Sequence, residues 1–267
     1  MSRHTFLKLA FYSLLATLGM ALLWWIFEQL TPPDLWQGMK LSKSAFEREY
    51  CEFNNPLSSF HQVMNTFSNL TYFFFGFLAL QIGLHDRGRE STNRLSMFPE
   101  LSLFCGGVFI YLAFGSAFFH ASLTQVSQYV DMNGTYGLTF MLIVLGLNDV
   151  IKFNFQSHAG LILILLTLAV LSFYGWYFLI PSSRLMPLMF LISILLSLVS
   201  LFKSWNWFRM ILLVSSILIL FFAIKIRTDD VMKLRCDPFS IWQGHAFWHL
   251  LTGLSSFMTY AFYRFRK

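Results

Sequence analysis

Charge is what this chain has least of. Asp, Glu, Lys and Arg make up 12% of its 267 residues, half the roughly 25% usual in soluble domains. So few polar groups cannot solvate a compact fold of this size, which excludes an ordinary soluble domain. With 56% of residues hydrophobic, a disordered chain is excluded too. Cysteine is also scarce. The three cysteines stand at 51, 105 and 236 and none forms a C-x-x-C pair. This excludes a disulfide-dense scaffold and argues against a thiolate zinc site. No internal repeat, low-complexity tract or second soluble domain interrupts the chain. The formal charge is +6, but the basic residues sit in short loops and at the C-terminus. That is the distribution membrane topology produces, so no nucleic-acid partner is expected. Nothing implies an obligate protein partner.

What is abundant is apolar length. Mean hydropathy is +0.59 and phenylalanine alone contributes 32 residues. Eight apolar stretches stand out, at 5–28, 61–84, 98–120, 127–147, 159–180, 185–202, 208–226 and 241–262. Each is long enough for a helix to cross roughly 30 Å of hydrocarbon. Helices are expected because a span must satisfy its own backbone hydrogen bonds. The reading is an all-α polytopic membrane protein. Pro181 with Ser182 and Ser183 divides the fifth span from the sixth, and the polar and aromatic segment Lys203–Trp207 divides the sixth from the seventh. The first span is expected to be retained. It is long, no A-x-A site follows it, and Trp24, Trp25 and Phe27 resemble an interface anchor. With eight spans, eleven Lys and Arg fall on the side of both termini and eight on the other, which also carries most of the acids. The bias places the termini in the cytoplasm and the acid-rich loops on the outer or lumenal side.

The residues that carry chemistry gather on that outer side. His245 and His249 are four apart at the start of the last span, a spacing that stacks both imidazoles on one helical face. The pair alone is a weak signal, since two interfacial histidines also fit it. His120 strengthens it, because it ends the third span on the same side and at similar depth. Three neutral imidazoles from two helices make a catalytic-type zinc site with a fourth position for water. Histidines within a bilayer are costly and usually functional. His61 lies on the same side but has no partner at helical spacing. Ser116 is one turn before His120, and Asp131 follows eleven residues after it. Zinc acidifies a water and polarises a carbonyl. Asp131 is placed to accept the water's proton and Ser116 to donate to the oxyanion. The structural alternatives are a back-bond within the helix for Ser116 and a helix cap for Asp131.

Before the second span lie Glu47, Glu49, Glu52, Asn54 and Gln62. Oxygens this dense suit a hard cation such as calcium, or simply a solvated acidic loop. Cys51 and Cys236 both fall in outer-side loops, where an oxidising compartment permits them to pair. Cys105 lies mid-span and reads as core packing.

Three stretches resemble the alkaline ceramidase family: Tyr50–Asn69 (YCEFNNPLSSFHQVMNTFSN), Gly115–Asp131 (GSAFFHASLTQVSQYVD) and Gln243–Gly253 (QGHAFWHLLTG). That family belongs to a superfamily of seven-helix membrane hydrolases that also includes adiponectin-type receptors and GPI-anchor-remodelling lipases. The resemblance covers about residues 48–262. It implies a seven-helix bundle over 61–267, an extra N-terminal helix at 1–30 and an acidic loop at 31–60. It further implies zinc on His120, His245 and His249, with Ser116 and Asp131 beside it. By the same resemblance, calcium falls on Glu49, Tyr50 through its carbonyl, Glu52, Asn54 and Gln62, and Cys51 pairs with Cys236. Two departures stand out. Glu49 and Gln62 replace the family's Asp and Glu, which weakens a cation site, and Asp131–Thr135 reads D-M-N-G-T where the family has D-E-L-P-M. The implied activity is zinc-dependent hydrolysis of the N-acyl bond of ceramide or a ceramide-like membrane lipid, giving a fatty acid and a sphingoid-type amine. An esterase or phospholipase on a related lipid, or a receptor or transporter with a structural zinc, are the alternatives.

Overall fold

A computed structural model describes residues 1–89, 93–151, 160–162, 164, 165, 167 and 182–265. The expected fifth span lies almost wholly outside the described residues. The described helices are α1 (Arg3–Leu30), α2 (Lys43–Phe46), α3 (Val63–Ser68), α4 (Leu70–Asp86), α5 (Arg94–Met97), α6 (Pro99–Ser122), α7 (Gln125–Ile151), α8 (Ser182–Lys203), α9 (Trp207–Val231) and α10 (Gly244–Arg264). Six helical segments among them are long and apolar enough to cross a membrane, α3 and α4 counting together as one. The chain therefore reads as an integral membrane protein.

α10 is not one of those six. His245, His249, Thr252, Ser255 and Thr259 lower its hydropathy, yet all five are buried. A helix with polar groups facing inward needs neighbours all round, and α10 has them. It packs along α9 and touches α3, α4, α5 and α7. Hydroxyls satisfy one another at these contacts. Ser216 on α9 meets Ser255 and Thr259 at 3.1 and 2.8 Å, and Tyr260 donates to Ser102 on α6 at 2.9 Å. α1 is the opposite case. Only Ser13 and Trp24 are buried in it. It leans on α4, where Gln81 donates to Leu9 O and Ser13 Oγ; Phe6, Leu9 and Met20 pack on the core, and Leu7, Phe11, Leu18, Leu22 and Trp25 face outward.

α4 and α6 approach unusually closely. A Cβ on Gly106 would stand 2.6 Å from the Gly76 carbonyl oxygen, so only glycine permits this contact. α6 then ends abruptly after its last residue, Ser122. Leu123 adopts φ +53°, the left-handed region, and the backbone N–H groups of His61 and Gln62 take the carbonyls of Ala121 and His120 at 3.0 Å. The loop after α1 is thereby fastened to the end of the helix that carries His120.

The end of the bundle bearing both termini, where Phe6 meets Phe265, holds two buried ion pairs. Arg264 donates twice to Asp86, at 2.9 and 2.7 Å. Arg209 lies 3.7 Å from Asp149 and 4.1 Å over the Phe262 ring, and it donates to the Phe262 carbonyl. Arg209 and Arg264 count as loop charges in the sequence, but both are buried. They sit inside the bundle because Asp149 and Asp86 neutralise them there.

Breaking such a pair leaves an uncompensated buried charge, at a cost of roughly 3–5 kcal/mol. Arg264→Leu is therefore expected to lower the thermal unfolding temperature in micelles sharply. The Asp86→Leu, Arg264→Leu double variant is expected to regain most of the loss.

Candidate metal centre

Two helix ends build the centre. His120 closes the last turn of α6, and His245 and His249 occupy the first two turns of α10. The three rings lie 4.6–5.0 Å apart, centre to centre. One ligand atom from each falls within 4.8 Å of the others, and all three residues are buried. This group can hold a metal ion.

The surrounding hydrogen bonds fix which nitrogen each ring offers. Gln62 donates its amide to Asn54 Oδ1 at 2.7 Å, so its Oε1 is the acceptor for His120 Nδ1–H at 2.7 Å. His120 Nε2 is left buried without a partner. Ser68 commits its hydroxyl proton to the Asn65 carbonyl, so its oxygen accepts from His249 Nδ1–H at 2.7 Å. That leaves Nε2 of His249 for a metal. His245 Nδ1 is also buried without a partner. Orphaned ring nitrogens that converge, held by oriented outer partners, are what a metal with nitrogen ligands requires.

Asp230 positions His245 from outside. Its two carboxylate oxygens accept from the His245 backbone N–H at 3.2 Å and from the Cys51 N–H at 3.1 Å. A side chain at Gly244 would collide with it, since a Cβ there lies 3.0 Å from Asp230 Oδ1. Cys51 is joined to Cys236 by a disulfide. Beside it the Tyr50 ring stacks on His245 at 3.9 Å. Glu49 is held by Arg227 at 3.2 Å, and Lys233 donates to the Glu49 carbonyl at 3.0 Å. The acidic loop thus forms one wall of the centre.

Ser116 is buried one turn before His120, and its hydroxyl interacts with the Asp131 carboxylate. Asp131 stands six residues into α7, too far along to be its N-cap. It is not one of the clustered ligand atoms. Four of the five residues singled out for calcium have side-chain partners within the protein. Glu52 accepts from the Met64 and Asn65 N–H groups at the start of α3, Asn54 and Gln62 bond each other, and Glu49 pairs with Arg227. Gln62, Asn54 and Glu52 therefore stand behind His120 and α3. His61 contributes its backbone rather than its ring.

Sequence reasoning missed Ser68, Asp230, Tyr50 as a ring on His245, and Gln62 as the partner of His120. The spacing of Asn65 and Ser68 carried a signal, since i and i+3 share a helical face. Asp230 had none, being fifteen residues from His245 across a loop return.

Loss of an outer partner typically weakens metal affinity by roughly 10–100-fold. Gln62→Leu and Ser68→Ala are each expected to do so, read by competition with a chromophoric chelator. Unchanged affinity in both would remove their orienting role. A second expectation concerns Glu52. Burial pushes its carboxyl from 4.5 up to about 7, against the pull of the two N–H donors. The folded state then holds a proton that the unfolded chain releases, so this group's contribution falls as pH rises from 4.5 to about 7. Across that window wild type should lose more unfolding temperature than Glu52→Gln, and parallel curves would contradict it.

No family model, no curated protein and no solved structure matches this chain.

Proposed function

We propose that this chain is a membrane-embedded zinc hydrolase that cleaves the N-acyl bond of ceramide or a ceramide-like lipid. The observation that carries the reading is the set of three buried imidazoles, two of them with an orphaned ring nitrogen, beside a serine and carboxylate that interact. An all-nitrogen donor set suits zinc and does not suit calcium, which takes oxygen. Calcium on Glu49, Tyr50, Glu52, Asn54 and Gln62 belongs to the same reading, on a loop whose Glu52 and Glu49 also meet α3 and Arg227. Zinc bound there supplies a Lewis acid and an acidified water.

The chain's own residues do the rest. Asp131 takes the proton from the attacking water and returns it to the amine nitrogen as the C–N bond breaks. Ser116 holds that carboxylate in the resting site. Its hydroxyl then turns to donate to the acyl oxygen as negative charge builds there. The products are a fatty acid and a sphingoid-type amine. The outward apolar surfaces of α1 and α9 suit a lipid environment.

The architecture in this reading is a seven-helix bundle formed by the second to eighth spans, with α1 added at its edge. Both termini face the cytoplasm and the metal centre faces the outer or lumenal side. The disulfide beside the centre favours that placement, since such bonds persist in oxidising compartments.

The test is release of fatty acid from a short-chain ceramide by the purified protein in micelles, followed by mass spectrometry. Asp131→Asn is expected to lower turnover about 10²–10⁴-fold while metal content stays at the wild-type level. Near-normal turnover by that variant would end the proton-transfer role. Turnover of an ester analogue with none of the amide would replace the amidase with an esterase.

A further inference from the structure

Residues 62, 65, 69 and 72 recur at helical spacing on one face of the segment entering α4. Both ends of this face touch the metal ligands. Gln62 accepts from His120 at 2.7 Å, and the Tyr72 ring lies 6.0 Å from that of His249. Between them sit Asn65 and Asn69, both at 0% exposure, and the chemistry above uses neither side chain.

Their orientation is fixed. Asn65 Nδ2 donates to Gln62 Oε1 at 3.1 Å, and Asn69 Nδ2 donates to the Asn65 carbonyl at 2.8 Å. Those partners only accept, so neither amide can be turned over. Each Oδ1 is therefore left as an acceptor, buried and with no donor among the described residues. Two unmet carbonyls one turn apart, on the face that meets the metal ligands, call for a ligand that brings donors.

We infer that Asn65 and Asn69 are specificity-determining residues that read hydrogen-bond donors on the lipid, namely the N–H of the scissile amide and a neighbouring hydroxyl. The inference rests on the hydrolase reading for the identity of the lipid. A ceramide-like molecule carries both donors. An ester of the same shape presents an oxygen where the N–H would be, so that acceptor faces acceptor and both lose water without gaining a partner. Sites built around a substrate donor reject analogues that lack it far more strongly than apolar pockets reject a change of size. The two asparagines thus select amide over ester and secondary amide over tertiary.

The experiment measures binding and hydrolysis separately. Binding is read with the full-length, metal-loaded Asp131→Asn protein in micelles, so that no probe is consumed. A fluorescent ceramide is displaced by a short-chain ceramide, by its N-methyl analogue or by its ester analogue. The asparagine-intact protein is expected to prefer the N–H lipid by about tenfold or more over both analogues. Adding Asn69→Leu should reduce that ratio to within about threefold. If the leucine variant does not bind metal, Asn69→Ser replaces it. A ratio near one in the asparagine-intact protein, or a full ratio surviving both the leucine and serine changes, overturns the inference. The second outcome would assign the two carbonyls to internal water. Fatty acid release by wild type, measured alongside, reports only on the hydrolase reading. Absent release with an Asn69-dependent ratio removes hydrolysis and keeps recognition; normal release with a ratio of one does the reverse.

Discussion

Three imidazoles buried together in an apolar bundle constrain everything around them. Each must stay neutral, each must commit one nitrogen to a protein partner or leave it orphaned, and their rings must not drift apart. The polar side chains near the histidine-bearing ends of α6 and α10 answer to that constraint. Gln62 and Ser68 fix two tautomers. Asn54 and Asn65 in turn orient Gln62, and Asp230 anchors the start of the helix that supplies the other two histidines. Removing any member leaves a buried donor or acceptor unmet, so the cluster behaves as a unit.

The two ends of the bundle solve the burial of polar groups differently. At the end bearing the termini, full charges are buried in opposite-sign pairs, Arg264 with Asp86 and Arg209 with Asp149. Such pairs satisfy themselves and ask nothing of a ligand. At the histidine end neutral groups are buried, and their deficits converge. The one arrangement holds helices together and the other leaves them ready to bind.

Much of this was legible in the sequence, for reasons that can be named. Stretch 98–120 became Pro99–Ser122 and stretch 185–202 became Ser182–Lys203, because apolar length alone sets such helices. The stretch at 61–84 was read as one span and is broken at Asn69 into α3 and α4. Asn69 keeps helical φ −67° and ψ −14°, so the two pieces still run as the single span Val63–Asp86. The stretch at 241–262 was read as an apolar span and became α10, whose inward polar residues keep it out of the six most apolar helices. The charges of Arg209 and Arg264 were misassigned to loops, since their partners Asp149 and Asp86 lie about 60 and 180 residues away. His120, His245 and His249 were legible as a group because residue type and depth suffice to place them. The hydrogen-bond roles of Gln62, Ser68 and Asp230 were not, because they depend on side-chain direction across separate elements.

The order of the chain gives the disulfide and the histidines a further meaning. Cys51 and His120 emerge early from the ribosome, whereas Cys236, His245 and His249 emerge only after α9 has been made. Until then the early loop has nothing to latch to, and His120 is a lone imidazole at a helix end. The three-histidine group is therefore complete only once the last helix has been made. A chain stalled before Cys236 carries one of the three histidines and leaves Cys51 without its disulfide partner, whereas in the finished chain the remaining thiol, Cys105, is buried.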